Sequence, residues 1–131
     1  MKTYSFESLN VWQCARKLAN FIYTLTASFP PEEKFGMVSQ MRRAAISVCS
    51  NLAEGSSKHS GKEKAKYSGN SYCSLMELLN QSIVGVDLLY IRSEDLTTLR
   101  SLVDEIAVKT SRLRESQLKE YQQSKIKPKR H

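Results

Sequence analysis

The chain has little of what catalysis, secretion or membrane insertion usually requires. Only two histidines occur, His59 in a lysine-flanked loop and His131 at the last position, so neither is well placed as an oriented general base. The three cysteines, Cys14, Cys49 and Cys73, fall on separate apolar segments with no C-x-x-C pair. An odd count without metal-ligand spacing points to reduced thiols in a reducing compartment, acting as small buried hydrophobes. No apolar run of about 18 residues is present to span a bilayer. The opening Met-Lys-Thr-Tyr-Ser-Phe-Glu-Ser lacks the apolar centre of a signal peptide, so a cytoplasmic protein is expected. Glycine-rich phosphate loops are missing too, since Gly55-Ser56-Ser57 follows a helical stretch instead of preceding one. The carboxylate pairs Glu32-Glu33 and Asp104-Glu105 are chain neighbours, which diverge by about 100° on a helix and cannot share a site. The expectation is a non-enzymatic protein without cofactor or metal. Five glycines and three prolines among 131 residues also argue against a β-rich fold.

What is present is helical periodicity. Leu9, Trp12, Ala15, Ala19, Ile22 and Leu25 recur at three- and four-residue steps, predicting a helix over residues 6–28 that Phe29-Pro30-Pro31 terminates. A second helix begins near residues 32–34 and is expected to stop at Gly55 as a left-handed cap. Ser60-Gly61-Lys62-Glu63 fits a capping box that opens the third, whose buried side is expected at Tyr72, Leu75, Leu79, Ile83, Val86 and Leu89. The fourth restarts at Ser93 and carries the most regular spacing: Leu96, Leu99, Val103, Ile106, Thr110, Leu113 and Gln117. Four long helices with short connections imply an all-α, antiparallel up-down-up-down four-helix bundle over residues 1–121. A basic C-terminal tail is expected over 122–131. Three helices with one long broken member is the alternative.

The net charge is +7. In an up-down-up-down bundle the chain start, the second connection and the chain end share one pole. That pole collects Lys2, Lys58, Lys62, Lys64, Lys66, Lys119, Lys125, Lys127, Lys129 and Arg130, ten of the twenty lysines and arginines. Glu63 and Glu120 lie near them, and the other pole holds Glu32, Glu33, Glu94 and Asp95 against Lys34 and Arg92. Such polarity suits the phosphate backbone of nucleic acid, with Tyr4, Tyr67 and Tyr121 as stacking candidates. The competing reading is that these lysines only keep a loop and a tail solvated.

The second helix is apolar or small over an arc roughly twice the ~100° that one core requires, which predicts a second chain against it. Arg43, Ser47, Ser50 and Glu54 form a narrow polar stripe flanked by Gln40 and Asn51. Either the stripe faces solvent, or it is covered and each charge finds a partner elsewhere. In the covered case Arg42 or Arg43 is expected to pair with Glu77 of the third helix.

Five segments carry a resemblance: Leu9-Asn10-Val11-Trp12-Gln13, Phe29-Pro30 leading to Phe35-Gly36-Met37, Gln40-Met41-Arg42-Arg43-Ala44-Ala45, Ser50-Asn51-Leu52-Ala53-Glu54-Gly55, and Ser74-Leu75-Met76-Glu77. Over about residues 6–92 the chain resembles the bacterial four-helix-bundle family of the 23S rRNA intervening sequence, also called S23-type ribosomal proteins. The resemblance implies a ring-shaped homopentamer. It also implies a distant relationship to the basic accessory protein of diversity-generating retroelements, which engages a reverse transcriptase and nucleic acid. Two departures stand out: Cys49 replaces a common proline, and Tyr67-Ser68-Gly69-Asn70 is small and polar where relatives are larger and apolar. Two functions follow as expectations. One is binding of structured RNA, in preference to DNA, through the basic pole; the other is a protein scaffold or reverse-transcriptase accessory. No membrane partner is expected.

Overall fold

In a computed structural model, which describes residues 1–126, four helices account for most of the chain. They are α1 (Asn10–Thr26), α2 (Met37–Ser56), α3 (Gly61–Asp87) and α4 (Ser93–Ile126). Short 3-10 turns at Ser5–Ser8 and Pro31–Glu33 precede α1 and α2. The described residues contain no strand, so the fold is an all-α four-helix bundle. Each helix packs on its chain neighbours and α4 closes back on α1, while the diagonal pairs make no close backbone approach.

Local chemistry explains where the helices break. Leu9 is extended (φ −72°, ψ 117°), so the first predicted helix is split there. The Tyr4 amide donates to the Glu7 carboxylate at 2.6 Å, and Phe6 meets Trp12 edge-on at 4.9 Å, which together hold the preceding turn. Pro31 starts a 3-10 turn, and α2 proper begins only at Met37. Ser60 accepts the Glu63 amide at 3.1 Å, the predicted cap of α3. α4 continues past Tyr121 to Ile126.

The core consists of Leu18, Ile22, Met41, Val48, Leu75, Leu78, Leu99, Val103 and Ile106, all essentially inaccessible. Burying each such side chain stabilises the fold by about 1.5–3 kcal/mol. The α4 spacing was legible: Leu99, Val103, Ile106, Thr110 and Gln117 are all buried.

Two expectations are corrected. The inner side of α3 is a seam of small residues, with Gly61, Ala65, Ser68, Ser71, Ser82 and Gly85 buried beside Leu75 and Leu78. Tyr72 is exposed and Leu89 is 91% exposed. Short hydroxyls are tolerated inside because each is satisfied: Ser71 donates to the Val48 carbonyl at 2.8 Å, Ser82 to Leu78 at 2.8 Å, and Ser68 to Gln117 Oε1 at 2.7 Å. Gly55, for its part, is not a left-handed cap, because no glycine has positive φ and α2 runs on to Ser56. Its reason is proximity: an added Cβ would stand 2.8 Å from Tyr67 Cβ on α3. The left-handed residue is Leu89 (φ 63°).

Candidate nucleic-acid interface

Around the α2–α3 connection, the facing residues of α2 and α3 and those of α3 and α4 run in opposite numerical directions. Ser47 meets Ser74 at 2.7 Å and Gly55 lies against Tyr67. Along α3 and α4, Ser68 pairs with Gln117, Lys64 Nζ lies 3.6 Å from Glu120, and Gly61 sits against Gln117 and Tyr121. Leu9, Gly55, Lys64 and Gln117 line a common hollow at this end.

The lysines here are arranged around two tyrosines. Lys58 Nζ stands 5.0 Å from the Tyr67 ring centroid. Lys62 and Lys125 approach the Tyr121 ring from separate elements, at 5.9 and 4.8 Å. Contact with a ring face orients an ammonium while leaving its remaining donors in water. Hydrogen bonding from Lys125, with the added charge of Lys62, holds the Tyr121 phenol below its ordinary value. Lys66 and Lys119 are exposed. Among the described residues Lys58, Lys62, Lys66 and Lys119 form no ion pair, whereas Lys64 is partly neutralised by Glu120. Lys127, Lys129 and Arg130 lie outside the described residues. Lys2 Nζ lies 5.4 Å over the Tyr4 ring centroid.

The α2 residues behave differently from the expected ion pair. Arg42 turns to α1, where Nε donates to Thr26 Oγ1 at 2.9 Å, Nη2 donates to the Tyr23 carbonyl at 3.2 Å, and the guanidinium covers the Tyr23 ring at 4.5 Å. It thus satisfies the C-terminal end of α1, where a cation is favoured. Arg43 and Glu54 face solvent. Glu77 accepts only from Gln81, at 3.3 Å, so neither arginine pairs with it. Asn51 donates to the Ser47 carbonyl at 2.9 Å and its hydroxyl at 3.1 Å, tying the stripe to Ser74.

One cluster escaped sequence reasoning. Between α1 and α4, the Cys14 thiol donates to Glu105 at 3.1 Å, and Lys109 bridges Glu105 (3.3 Å) and Asn10. Burial, then the carboxylate, pushes the Cys14 thiol up. The i,i+4 Glu105–Lys109 spacing was visible beforehand, but its partners on α1 were not. Among the described residues no group of His, Cys, Asp and Glu could hold a metal ion. No described helix is long and apolar enough to cross a membrane.

The family model of the 23S rRNA-intervening sequence protein matches residues 7–112. The chain belongs to this family. The match takes in α1 to α3 and most of α4, including Lys58, Lys62, Lys64 and Lys66, and stops before Lys119 and Lys125. No curated protein matches the chain.

Proposed function

We propose that this protein is a non-enzymatic, cytoplasmic RNA-binding module. It holds structured RNA at one basic pole of an antiparallel up-down-up-down bundle. The observation that carries this reading is the convergence of Lys62 and Lys125, from two distant parts of the chain, on Tyr121, with Lys58 over Tyr67 of the same helix as Lys62. The opposed numbering of the interhelical contacts supports the antiparallel order, and the family's name supports rRNA as the class of target. Contacts made by lysine are to phosphates, so binding tolerates many sequences and depends steeply on salt. Self-association, as the pentamer that the resemblance implies, is supported by α1 and α2. There Tyr23 and Ile46 remain 41% and 44% exposed beside half-buried Trp12 and Cys49. A ring of copies would repeat the lysine cluster around one axis.

Replacing Lys58, Lys62 and Lys125 together by glutamine tests the reading. Each neutralised phosphate contributes about 0.7–0.9 to the slope of log affinity against log salt, so the slope should fall by about 2 to 3. Truncation after Tyr121 should weaken binding in the same sense. An unchanged slope in both variants refutes the proposal. Exposed Phe35, Leu88 and Leu89 favour a second reading, a protein scaffold such as a reverse-transcriptase accessory. That reading predicts weak RNA binding indifferent to salt.

A further inference from the structure

Between α3 and α4, just inside the lysine-rich end, lies a hollow of about 410 Å3 lined by Ser68, Gly69, Tyr72, Cys73, Thr110 and Arg114. Its size falls within the ~300–1,000 Å3 of small-molecule sites. Three features distinguish it from loose packing. Thr110 is 1% exposed and its hydroxyl has no hydrogen-bond partner. Helical threonines ordinarily back-bond to the preceding turn, so an idle buried donor is unusual. Tyr72 stands at the rim, 36% exposed. Arg114 is exposed and forms no ion pair among the described residues. It crosses α3 at Gly69, where an added Cβ would stand 3.6 Å from Nε, an ordinary contact, so the guanidinium lies against the backbone at the hollow.

An aromatic face, a buried hydroxyl and a free guanidinium are what a single nucleotide requires: a stacking surface, an edge donor and a phosphate clamp. We propose that this hollow receives one unpaired nucleotide of RNA. Its base lies on Tyr72 with its edge towards Thr110, and its phosphate rests on Arg114. Thr110 lines the hollow, and donation to the base edge requires its sealed hydroxyl to turn about the Cα–Cβ bond, between the two rotamers that helical threonine uses. Lys66 lies about one turn before Gly69 and Asn70 on the same helix, so the hollow adjoins the lysine-bearing start of α3. The inference rests on the RNA-binding reading and adds to it a preference for bulged or looped RNA over continuous duplex.

The test compares two hairpins, one fully paired and one with a single-nucleotide bulge, binding to the full chain and to Thr110→Val and Gly69→Leu. Thr110→Val removes the idle hydroxyl at constant shape, so it should melt above the parent while binding the bulged hairpin roughly tenfold more weakly, the scale of one lost hydrogen bond. Gly69→Leu fills the hollow and should reduce bulged binding to the level of the paired hairpin. Paired-hairpin affinity and its salt slope should not move in either variant. Unchanged bulged binding in both variants overturns the pocket while leaving the lysine reading intact. A changed sedimentation coefficient with unchanged RNA binding also overturns it, by assigning this face to contacts between copies. If the lysine variants bind both hairpins like the parent, it is the RNA reading itself that fails.

Discussion

Gly61→Ala is expected to weaken the molecule where the start of α3 packs on α4. Gly61 is the first residue of α3 and is buried against α4. An added Cβ falls well inside contact distance of the Gln117 carbonyl oxygen, 2.9 Å from the Tyr121 amide nitrogen and 3.2 Å from Tyr121 Cβ. Two of these atoms belong to the backbone of α4, so no rotamer change relieves the clash and the helices must separate. Overpacking of this kind costs about 1–3 kcal/mol. The same displacement loosens the buried Ser68–Gln117 hydrogen bond of 2.7 Å. That adds about 1 kcal/mol. The better helix propensity of alanine offsets about 0.5–1 kcal/mol. A net loss of about 1–3.5 kcal/mol remains, or roughly 3–17 °C in Tm for a domain of this length. Urea titration followed by far-ultraviolet circular dichroism reads it directly. Gly69→Ala is the control: its Cβ would meet only Arg114 Nε at 3.6 Å. It should stabilise by about 0.5–1 kcal/mol. A urea midpoint for Gly61→Ala at or above that of the parent would refute the reasoning, because the close α3–α4 approach would then not exist.

Leu89→Gly should raise stability by about 1 kcal/mol, since a left-handed leucine is strained. The α3 terminus there is closed by Tyr90 N–H to the Gly85 carbonyl at 2.9 Å and Leu89 N–H to Val86 at 3.0 Å, and the 91% exposed side chain has little packing to lose. Arg42→Met should cost about 1–3 kcal/mol in thermal melts through its lost bonds to Thr26 and Tyr23. Glu77→Lys, at a solvent-facing position, should stay within about 0.5 kcal/mol. Under a thiol-specific reagent near neutral pH, exposed Cys73 should react before Cys49, whose thiol burial pushes up to about 11. The unfolded chain releases the Cys49 proton near 9.0 and the folded chain near 11. Stability should therefore be undiminished below the lower value and fall as pH rises through this window, which Cys49→Ala should flatten.

Periodicity and caps reached the fold well, because helix formation is written in local spacing. The regular steps of α4 and the Ser60 cap are cases where the residues that decide the structure lie within a few positions of one another. The same reading succeeded only in part on α3, where Leu75 is buried and Leu79 and Val86 pack on the core but Tyr72 and Leu89 are exposed. Its larger apolar residues suggested the buried face, yet the chain buries serines and glycines there so that α2 and α4 can approach closely. Arg42 was legible as an arginine within an apolar arc, but not as the cap of α1, because Thr26 and Tyr23 are brought to it only by packing.

The sequence by itself determined that the chain is helical, roughly where each helix runs, and that cation-rich segments lie at the start of α3 and towards the C-terminus. Only the tertiary structure decided which cations meet which rings, that neither Arg42 nor Arg43 pairs with Glu77, and that Thr110 carries an idle hydroxyl beneath a hollow. The reason is physical: propensity, capping and periodicity act over a turn or two of helix. Pairing, burial of a donor and crowding at a glycine depend on atoms that chain folding brings together from distant positions.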